Sequence, residues 1–249
     1  MQELTVLYDA HCGAGRVCVR GVTTLTDVTD SATAKGEQTR ELILSTALRL
    51  FRAQGYGKTT MRAIATQAGV SVGNAYYYYS SKEHLMQAYY DHIGEQHREA
   101  CESILATEKA FVPRLTGVLR AWLDVAAPYH EFAGTFFKTA ADPKSPLSPF
   151  SEESRPAREA SVEIFRQVVE GSDLKLPTDL KAELPELLWL MEMGIVLFWV
   201  HDDSADLRRT RALIDRSVPL VDRLLRLTRI PGVRGVANDI VGLIRSIKP

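Results

Sequence analysis

The sequence has few cysteines, no strong excess of either charge and no long apolar run. Only 3 of its 249 residues are cysteines, Cys12, Cys18 and Cys101, an odd number that argues against a disulfide scaffold and indicates a reducing compartment. The 30 Lys and Arg residues nearly balance the 31 Asp and Glu residues, so no chain-wide basic charge indicates nucleic acid or an acidic membrane. The most apolar stretch, 187–200, contains Glu192 and is shorter than the ~20 residues that a membrane helix needs. We therefore expect a cytoplasmic protein with no membrane partner, in which any nucleic-acid function is local.

Residues 1 to 36 show no sustained hydrophobic periodicity, which predicts a mostly disordered leader. Asp9, His11 and Cys12 resemble the start of a thioredoxin-like motif, but Gly15 stands in place of its second cysteine. We therefore favour an inert extension over a redox or metal site.

The rest of the chain has apolar residues at helical spacing and no strand pattern. Gly55, Gly57 and Gly69 end helices, and Thr60 and Ser71 can cap the helices that follow. Prolines mark the later breaks. The predicted helices are 39–54, 61–68, 72–78, a longer helix after Ser81, 102–108, 111–127, 129–141, 152–170, 180–202, 206–228 and 236–247.

A helix that ends at Ala68-Gly69-Val70, followed by a helix that begins at Ser71, is typical of a helix-turn-helix. In such a unit the second helix enters the major groove with its N-terminal residues toward the bases. From Lys35 to Lys82 there are seven basic and two acidic residues, so this segment is positive although the chain is not. The local charge fits a DNA-reading module.

The run TTMRAIATQAGVS (59–71), with Gly73, Tyr76, Tyr79 and the run SKEHL (81–85), resembles the tetracycline-repressor (TetR) family of bacterial transcriptional regulators over about residues 37 to 90. The resemblance implies an all-α fold with an N-terminal helix-turn-helix three-helix domain and a C-terminal helical bundle for ligand sensing and dimerisation. It also implies a repressor that leaves double-stranded operator DNA when a small apolar or amphipathic effector binds. The implied divisions are a leader (1–36), the DNA-binding domain (37–84), a connecting helix (85–102), the ligand-binding and dimerisation domain (103–230) and a tail with a short helix (231–249).

The resemblance also implies DNA-binding roles. Tyr76 and Lys82 match phosphate-binding positions, Thr60 can donate to a phosphate, and Arg62 can contact a base. Thr60 could equally be a plain helix cap, and Arg62 a solvated surface side chain. Four consecutive helical tyrosines cannot share one role, so Tyr79 is assigned to the core. The predicted DNA-binding residues are Thr60, Arg62, Ser71, Val72, Gly73, Asn74, Tyr76, Tyr77, Tyr78 and Lys82.

Two late helices carry apolar positions spaced alternately four and three residues apart. Paired with a second copy, such stripes would complete a four-helix bundle. The alternative is that both stripes face the core of their own subunit. The predicted dimer interface comprises Leu188, Met191, Ile195, Phe198, Leu220, Leu224 and Leu227.

Aromatic residues are frequent in the middle helices, where they could line an effector cavity or only fill the core. Inward polar groups could come from His130, Thr135, Glu192 and His201. The predicted ligand-binding residues are Trp122, His130, Phe136, Phe137, Phe165, Trp189 and Met193.

The main rival function is an all-helical enzyme or metalloprotein with a vestigial helix-turn-helix. His97 and Cys101 are four residues apart and could meet on one helix face, but no further ligand lies nearby in sequence. No catalytic triad, phosphate-binding glycine loop or paired-carboxylate helix motif stands out. We therefore predict no enzymatic activity, no cofactor and no bound metal.

Overall fold

The computed structural model describes residues 25–228 and Gly242. The chain divides into two compact units, residues 1–39 and 40–249. The described part consists of α-helices and two short 3₁₀ turns, with no strand, so the predicted all-α fold is confirmed. The helices are α1 (Leu25–Gln54), α2 (Met61–Ala68), α3 (Val72–Tyr78), α4 (Lys82–Thr107), α5 (Phe111–Ala126), α6 (His130–Ala140), α7 (Arg155–Glu170), α8 (Thr178–Val200) and α9 (Arg208–Leu227).

Helix α1 starts much earlier than the sequence predicted. It already runs from Leu25, so the prediction of a disordered leader is wrong for residues 25–36. Residues 25–36 contain no proline, and a single interior glycine such as Gly36 costs only about 1 kcal/mol. Once the apolar face beyond Arg40 has formed the helix, extension toward the N-terminus therefore costs little. The predictions for residues 1–24 lie outside the described residues.

Helix α4 is longer than predicted and includes the segment 102–108 that we had assigned to a separate helix. No glycine or proline occurs between Gly94 and Pro113, so nothing interrupts the helix before Thr107. The other helices agree with prediction to within a few residues. The predicted helix 236–247 lies outside the described residues except for Gly242, which is helical.

Two apolar clusters hold the second unit together. The first joins α2, α3 and parts of α1, α4 and α6 around Phe51, Ile64 and Tyr79. The second joins α5, α7, α8 and α9 with Cys101 of α4, around Phe111, Leu119 and Phe165. The first cluster fixes α2 and α3 on a rigid support. Within the described residues, no helix is long and apolar enough to cross a membrane.

The buried guanidinium of Arg114 ties the ends of three helices together. It donates to the carbonyl oxygens of Leu105 and Glu108 at the end of α4, and of Gln167 and Val168 in α7. A Cβ atom added at Gly171 would collide with this guanidinium. One arginine thus donates to backbone acceptors at the ends of two helices, of which the Gln167 carbonyl also accepts from the N–H of Gly171.

Candidate nucleic-acid interface

Helices α2 and α3 each begin at a hydroxyl cap. Thr60 Oγ1 accepts a hydrogen bond from Ala63 N at 3.1 Å, and Ser71 Oγ accepts one from Asn74 N at 3.0 Å. These caps satisfy backbone N–H groups that have no partner inside the helix. Both residues act as helix caps, and their side chains are exposed.

The turn between the two helices depends on Gly69. This residue has φ 69° and ψ 24°, the left-handed conformation that a Cβ disfavours, and its N–H bonds back to Ala65 and Thr66. The N–H of Val70 also donates to Ala65 O at 3.0 Å, which closes the end of α2. The chain therefore reverses direction within three residues and starts α3 at Val72.

Helix α3 presents one face to the core and the other to solvent. Ala75 and Tyr79 are buried, and Tyr79 Oη donates to the carbonyl of Arg40 at 3.3 Å, so its assignment to the core is confirmed. Tyr77 is 81% exposed and Tyr76 is 50% exposed, which leaves both hydroxyls accessible. Tyr78 is half-buried, with its ring 5.1 Å from that of Tyr77 in an edge-on contact.

The other predicted positions at the start of α3 share this exposed face. Val72, Gly73 and Asn74 are all exposed, and a Cβ atom added at Gly73 would meet nothing within 4 Å. Arg62 of α2 is exposed as well. Predicted base-reading residues therefore lie on the solvent side of α3, as a helix entering a groove requires.

Lys82 makes a contact that the sequence did not reveal. Its ammonium donates to the carbonyl of Tyr56 at 2.9 Å and lies 4.4 Å from the centre of the Tyr56 ring. The Tyr56 hydroxyl in turn donates to Glu83 at 2.9 Å. An ammonium has three donor hydrogens, so Lys82 keeps donors for a phosphate while the loop after α1 fixes its position. Tyr56 lies 26 residues away, and no local sequence signal indicates this pairing.

Basic side chains are exposed around this surface. Arg40, Arg49, Arg52, Lys58 and Arg62 are all exposed, and among the described residues no ion pair involves any of them. Arg40 lies over the ring of Tyr79 at 5.8 Å. Of these cations, Arg40 interacts electrostatically with the carboxyl of Asp91, and the others can attract the phosphates of DNA.

Comparison with known proteins agrees with this geometry. Residues 43–89 match the family model of bacterial regulatory proteins of the tetR family, and residues 114–241 match the tetracyclin repressor-like C-terminal domain. The chain belongs to the tetracycline-repressor family.

Individual TetR-family relatives resemble parts of the chain. The HTH-type transcriptional regulator SrpR of Pseudomonas putida is 35% identical over 89 residues, which is 36% of this chain and 37% of SrpR. The aligned part thus spans little more than a third of that relative. A putative TetR-family regulator from Syntrophomonas wolfei shares the fold, with a TM-score of 0.60 and 17% identity over 74% of this chain and 95% of that one. FadR of Thermus thermophilus, a repressor solved with lauroyl-CoA, also shares the fold. Its TM-score is 0.54, with 23% identity over 72% of this chain and 92% of that one.

The C-terminal bundle of this TetR-family chain corrects part of the predicted dimer interface. Leu188 and Ile195 are 2% and 3% exposed and lie in the core of their own subunit, so they are not available to a partner. Met191 is half-buried. Helix α8 is apolar on nearly every side, so the spacing of four and three residues fits more than one face and did not identify the outer one.

An apolar surface does remain on α8 and α9. Four of its residues belong to the predicted dimer interface, and the other two, Leu190 and Leu197, were not predicted. The side chains of all six are between 39% and 55% exposed. Leu190 and Leu197 are seven residues apart, as are Leu220 and Leu227, so each pair shares a face of its helix. We call this surface the α8–α9 stripe, and it consists of Leu190, Leu197, Phe198, Leu220, Leu224 and Leu227.

The predicted ligand-binding residues do not form one lining. Trp122 and His130 meet at Trp199, with ring centres 5.3 and 5.2 Å away, and His130 Nε2 lies 2.8 Å from the Trp199 carbonyl oxygen. Phe136 instead packs in the cluster of the DNA-binding helices, 5.5 Å from the Tyr90 ring, because α6 contacts that cluster. Assigning Phe136 to the bundle cavity was therefore wrong.

The remaining predicted ligand-binding residues are spread over the bundle. Phe165 and Trp189 are core residues on α7 and α8, and the Trp189 ring contacts exposed Phe150 at 5.3 Å. Phe137 is half-buried, 6.2 Å from the ring of His201, and Met193 is half-buried beside the core cluster. These side chains pack as ordinary core and rim residues.

Of the polar groups predicted to face inward, Glu192 is the one that the structure buries. It is 2% exposed, and burial raises the pKa of its carboxyl to about 8. His201 is exposed, and its Nδ1 lies 2.9 Å from the carbonyl oxygen of Leu197. The side chain of Thr135 lies outside the described part.

The His97–Cys101 pair of α4 is buried. His97 Nε2 lies 3.0 Å from the carbonyl oxygen of Val118, and burial lowers the pKa of His97 and raises that of Cys101 to about 12. Within the described residues, no three His, Cys, Asp or Glu side chains are grouped closely enough to hold a metal ion. The pair is therefore best explained as core packing.

Proposed function

We propose that this TetR-family chain is a sequence-specific DNA-binding regulator that acts as a homodimer and represses transcription until a small molecule releases it from its operator. The observation that carries the proposal is the exposed face of α3. Ser71 caps this helix, Ala75 and Tyr79 anchor it in the core, and Asn74 and Tyr77 are exposed to solvent. A helix held in this way can enter a major groove without refolding.

The α8–α9 stripe supports the homodimer. Six large apolar side chains on two neighbouring helices are more than isolated surface residues, and a second copy of the same two helices would cover them as a four-helix bundle. A two-fold pair of this kind would place two α3 helices on one DNA duplex. The proposed interface is therefore Leu190, Leu197, Phe198, Leu220, Leu224 and Leu227, with Met191 at its edge.

Effector control is the second part of the proposal. FadR of Thermus thermophilus shares this fold and was solved with lauroyl-CoA, a ligand with a long apolar chain. In this chain, the effector would bind the bundle in a conformation of the dimer in which the distance between the two α3 helices does not fit the operator. Its binding would therefore release the DNA. A preference of ~3 kcal/mol between the two states is enough for release on the order of 100-fold.

Selection of bound fragments from a random DNA pool tests the proposed function. We expect one enriched motif with two-fold symmetry. Asn74→Ala and Tyr77→Ala should alter the preferred bases at particular positions, since each good base contact discriminates by about 1–3 kcal/mol. Glu159→Ala, at an exposed position of α7, serves as the control and should return the wild-type motif. A pool without enrichment, or the wild-type motif from both α3 variants, would contradict the proposal.

A further inference from the structure

Within the described part of the bundle formed by α5 to α9, two buried polar atoms have no hydrogen-bond partner. They are Oε1 of Glu192 and Nε1 of Trp199, both on α8 and both in side chains that are almost fully buried. The two residues are seven positions apart, so they lie on the same face of the helix, about 10 Å apart along its axis. This face of α8 therefore presents an unpaired acceptor and an unpaired donor to the interior.

Two other buried charged groups among the described residues, Asp202 and Arg114, have several hydrogen-bond partners each. Asp202 accepts four hydrogen bonds of 2.6–3.0 Å from the N–H and hydroxyl groups of Ser204 and Thr210. Arg114 donates to four carbonyl oxygens. An unpaired buried carboxyl costs stability, because it gives up water and receives nothing in return. Glu192 thus differs from Asp202 and Arg114.

Aromatic rings surround Trp199, and a buried thiol lies near Glu192. The Trp199 ring contacts Trp122 and His130 edge-on at 5.3 and 5.2 Å. Cys101 of α4 is buried on the Glu192 side, where the two groups interact electrostatically. A ligand that brings a positive charge to Glu192 would offset the cost of burying its carboxylate. No basic side chain in the described bundle pairs with Glu192.

We propose that Glu192 is the polar anchor of the effector site, and that the effector is an apolar molecule that carries a protonated amine. The ammonium would donate to the Glu192 carboxylate, which releases its proton to solvent on binding, while the apolar body replaces core contacts beside Trp122 and Trp199. This inference rests on the proposed function, because it assigns the chemistry of the molecule that releases the DNA.

Three small probes of one shape test the charge preference. They are 4-phenylbutylamine, 4-phenylbutan-1-ol and 4-phenylbutyrate, measured by calorimetry on the full chain. We expect the wild type to bind the amine at least tenfold more tightly than the alcohol or the acid, and Glu192→Gln to lose this preference. Glu186→Gln, on the same helix, is the control and should keep it. Preference for the acid, equal binding of all three, no binding of any, or a preference retained in Glu192→Gln would overturn the proposal.

Thermal unfolding separates a binding role from a structural one. Glu192→Leu should raise the melting temperature by a few degrees, because it removes an unpaired buried group. If Glu192 instead stabilised the fold, the same variant would have a lower melting temperature than the wild type. A lowered melting temperature would count against the proposal. Operator binding is measured separately on the same samples. Loss of the amine preference with intact operator binding would refute only this site, whereas absence of a specific operator would refute the proposed function.

Discussion

Helices α2 to α4 begin in a different way from helices α5 to α9. Helices α2, α3 and α4 begin at Thr60, Ser71 and Ser81, and each hydroxyl accepts from the N–H three residues later. Helices α5 to α9 have no such side-chain cap. Two of them instead use carboxylates from distant or preceding segments, since Asp173 accepts from Phe111 N at 2.9 Å and Asp202 from Thr210 N at 2.8 Å.

The starts of α2 to α4 are fixed by neighbouring residues, whereas those of the bundle helices depend on contacts between distant parts of the chain. The DNA-binding helices carry their start and stop signals within a few residues, so each helix is specified before it packs. The bundle helices depend on groups that meet only in the folded chain, as Arg114 does with carbonyls 53 and 54 residues away. Substitutions should therefore damage stability mainly in the bundle and DNA binding mainly in the first helices.

Arg114→Met should give the largest effect on stability. The variant leaves the carbonyl oxygens of Leu105, Glu108 and Val168 without their donor, in a place that water reaches poorly, whereas the Gln167 carbonyl keeps the N–H of Gly171. We expect a loss of about 3 kcal/mol or more in the free energy of unfolding, measured by urea denaturation. Arg120→Met is the matched control, because Arg120 makes only an exposed ion pair with Asp215 and should cost less than about 1 kcal/mol. Equal losses in the two variants would remove the distinction drawn here.

Charged substitutions in the α8–α9 stripe should give the next largest effect. Leu220→Glu with Leu224→Glu places two carboxylates in the proposed subunit interface but in solvent within a monomer, since both leucines are more than half exposed. We expect a folded monomer that binds the full operator about 100-fold more weakly. In a dimer, binding of one DNA-binding domain raises the effective concentration of the second at the DNA, and separate monomers lose this gain.

Sedimentation and operator titration check this expectation together. Ala160→Glu, at an exposed position of α7, controls for the added charge and should leave the dimer intact. If the double variant remains a dimer, the subunit interface lies elsewhere. If it is a monomer with undiminished affinity for the operator, two α3 helices do not bind the operator together.

Much of the DNA-binding region could be predicted from the sequence. The caps at Thr60 and Ser71, the glycine turn at Gly69 and the burial of Tyr79 all follow from local residue chemistry. The structure added the tie between Lys82 and Tyr56, which no spacing rule reveals because the partners are brought together by the fold.

The bundle could be predicted only as a set of helices. Apolar residues surround α8 on most sides, so periodicity alone could not tell that Leu188 and Ile195 face inward and Leu190 and Leu197 outward. The early start of α1 was missed because low hydrophobicity in residues 25–36 resembles a disordered segment, although it contains no helix-breaking proline. Both the orientation of α8 and the start of α1 depend on long-range packing, which local sequence patterns do not reveal.

The smallest expected effect concerns phosphate contacts beside α3. Tyr76→Phe removes one hydroxyl from a half-exposed ring outside the core, so stability should change by less than about 0.5 kcal/mol. Loss of one phosphate hydrogen bond in each subunit should weaken binding of the dimer by about 2 kcal/mol, roughly 30-fold, for every DNA sequence alike and with an unchanged salt dependence. Lys82→Gln is the informative partner, because it removes one charge from each subunit and should lower the slope of log affinity against log salt by about 1.8 for the dimer, or about 0.9 per subunit. Fluorescence anisotropy at several salt concentrations, on the selected operator and on random DNA, measures both quantities. An effect of Tyr76→Phe confined to the operator would make Tyr76 a base-reading residue, and an unchanged salt slope in Lys82→Gln would show that its ammonium serves Tyr56 alone.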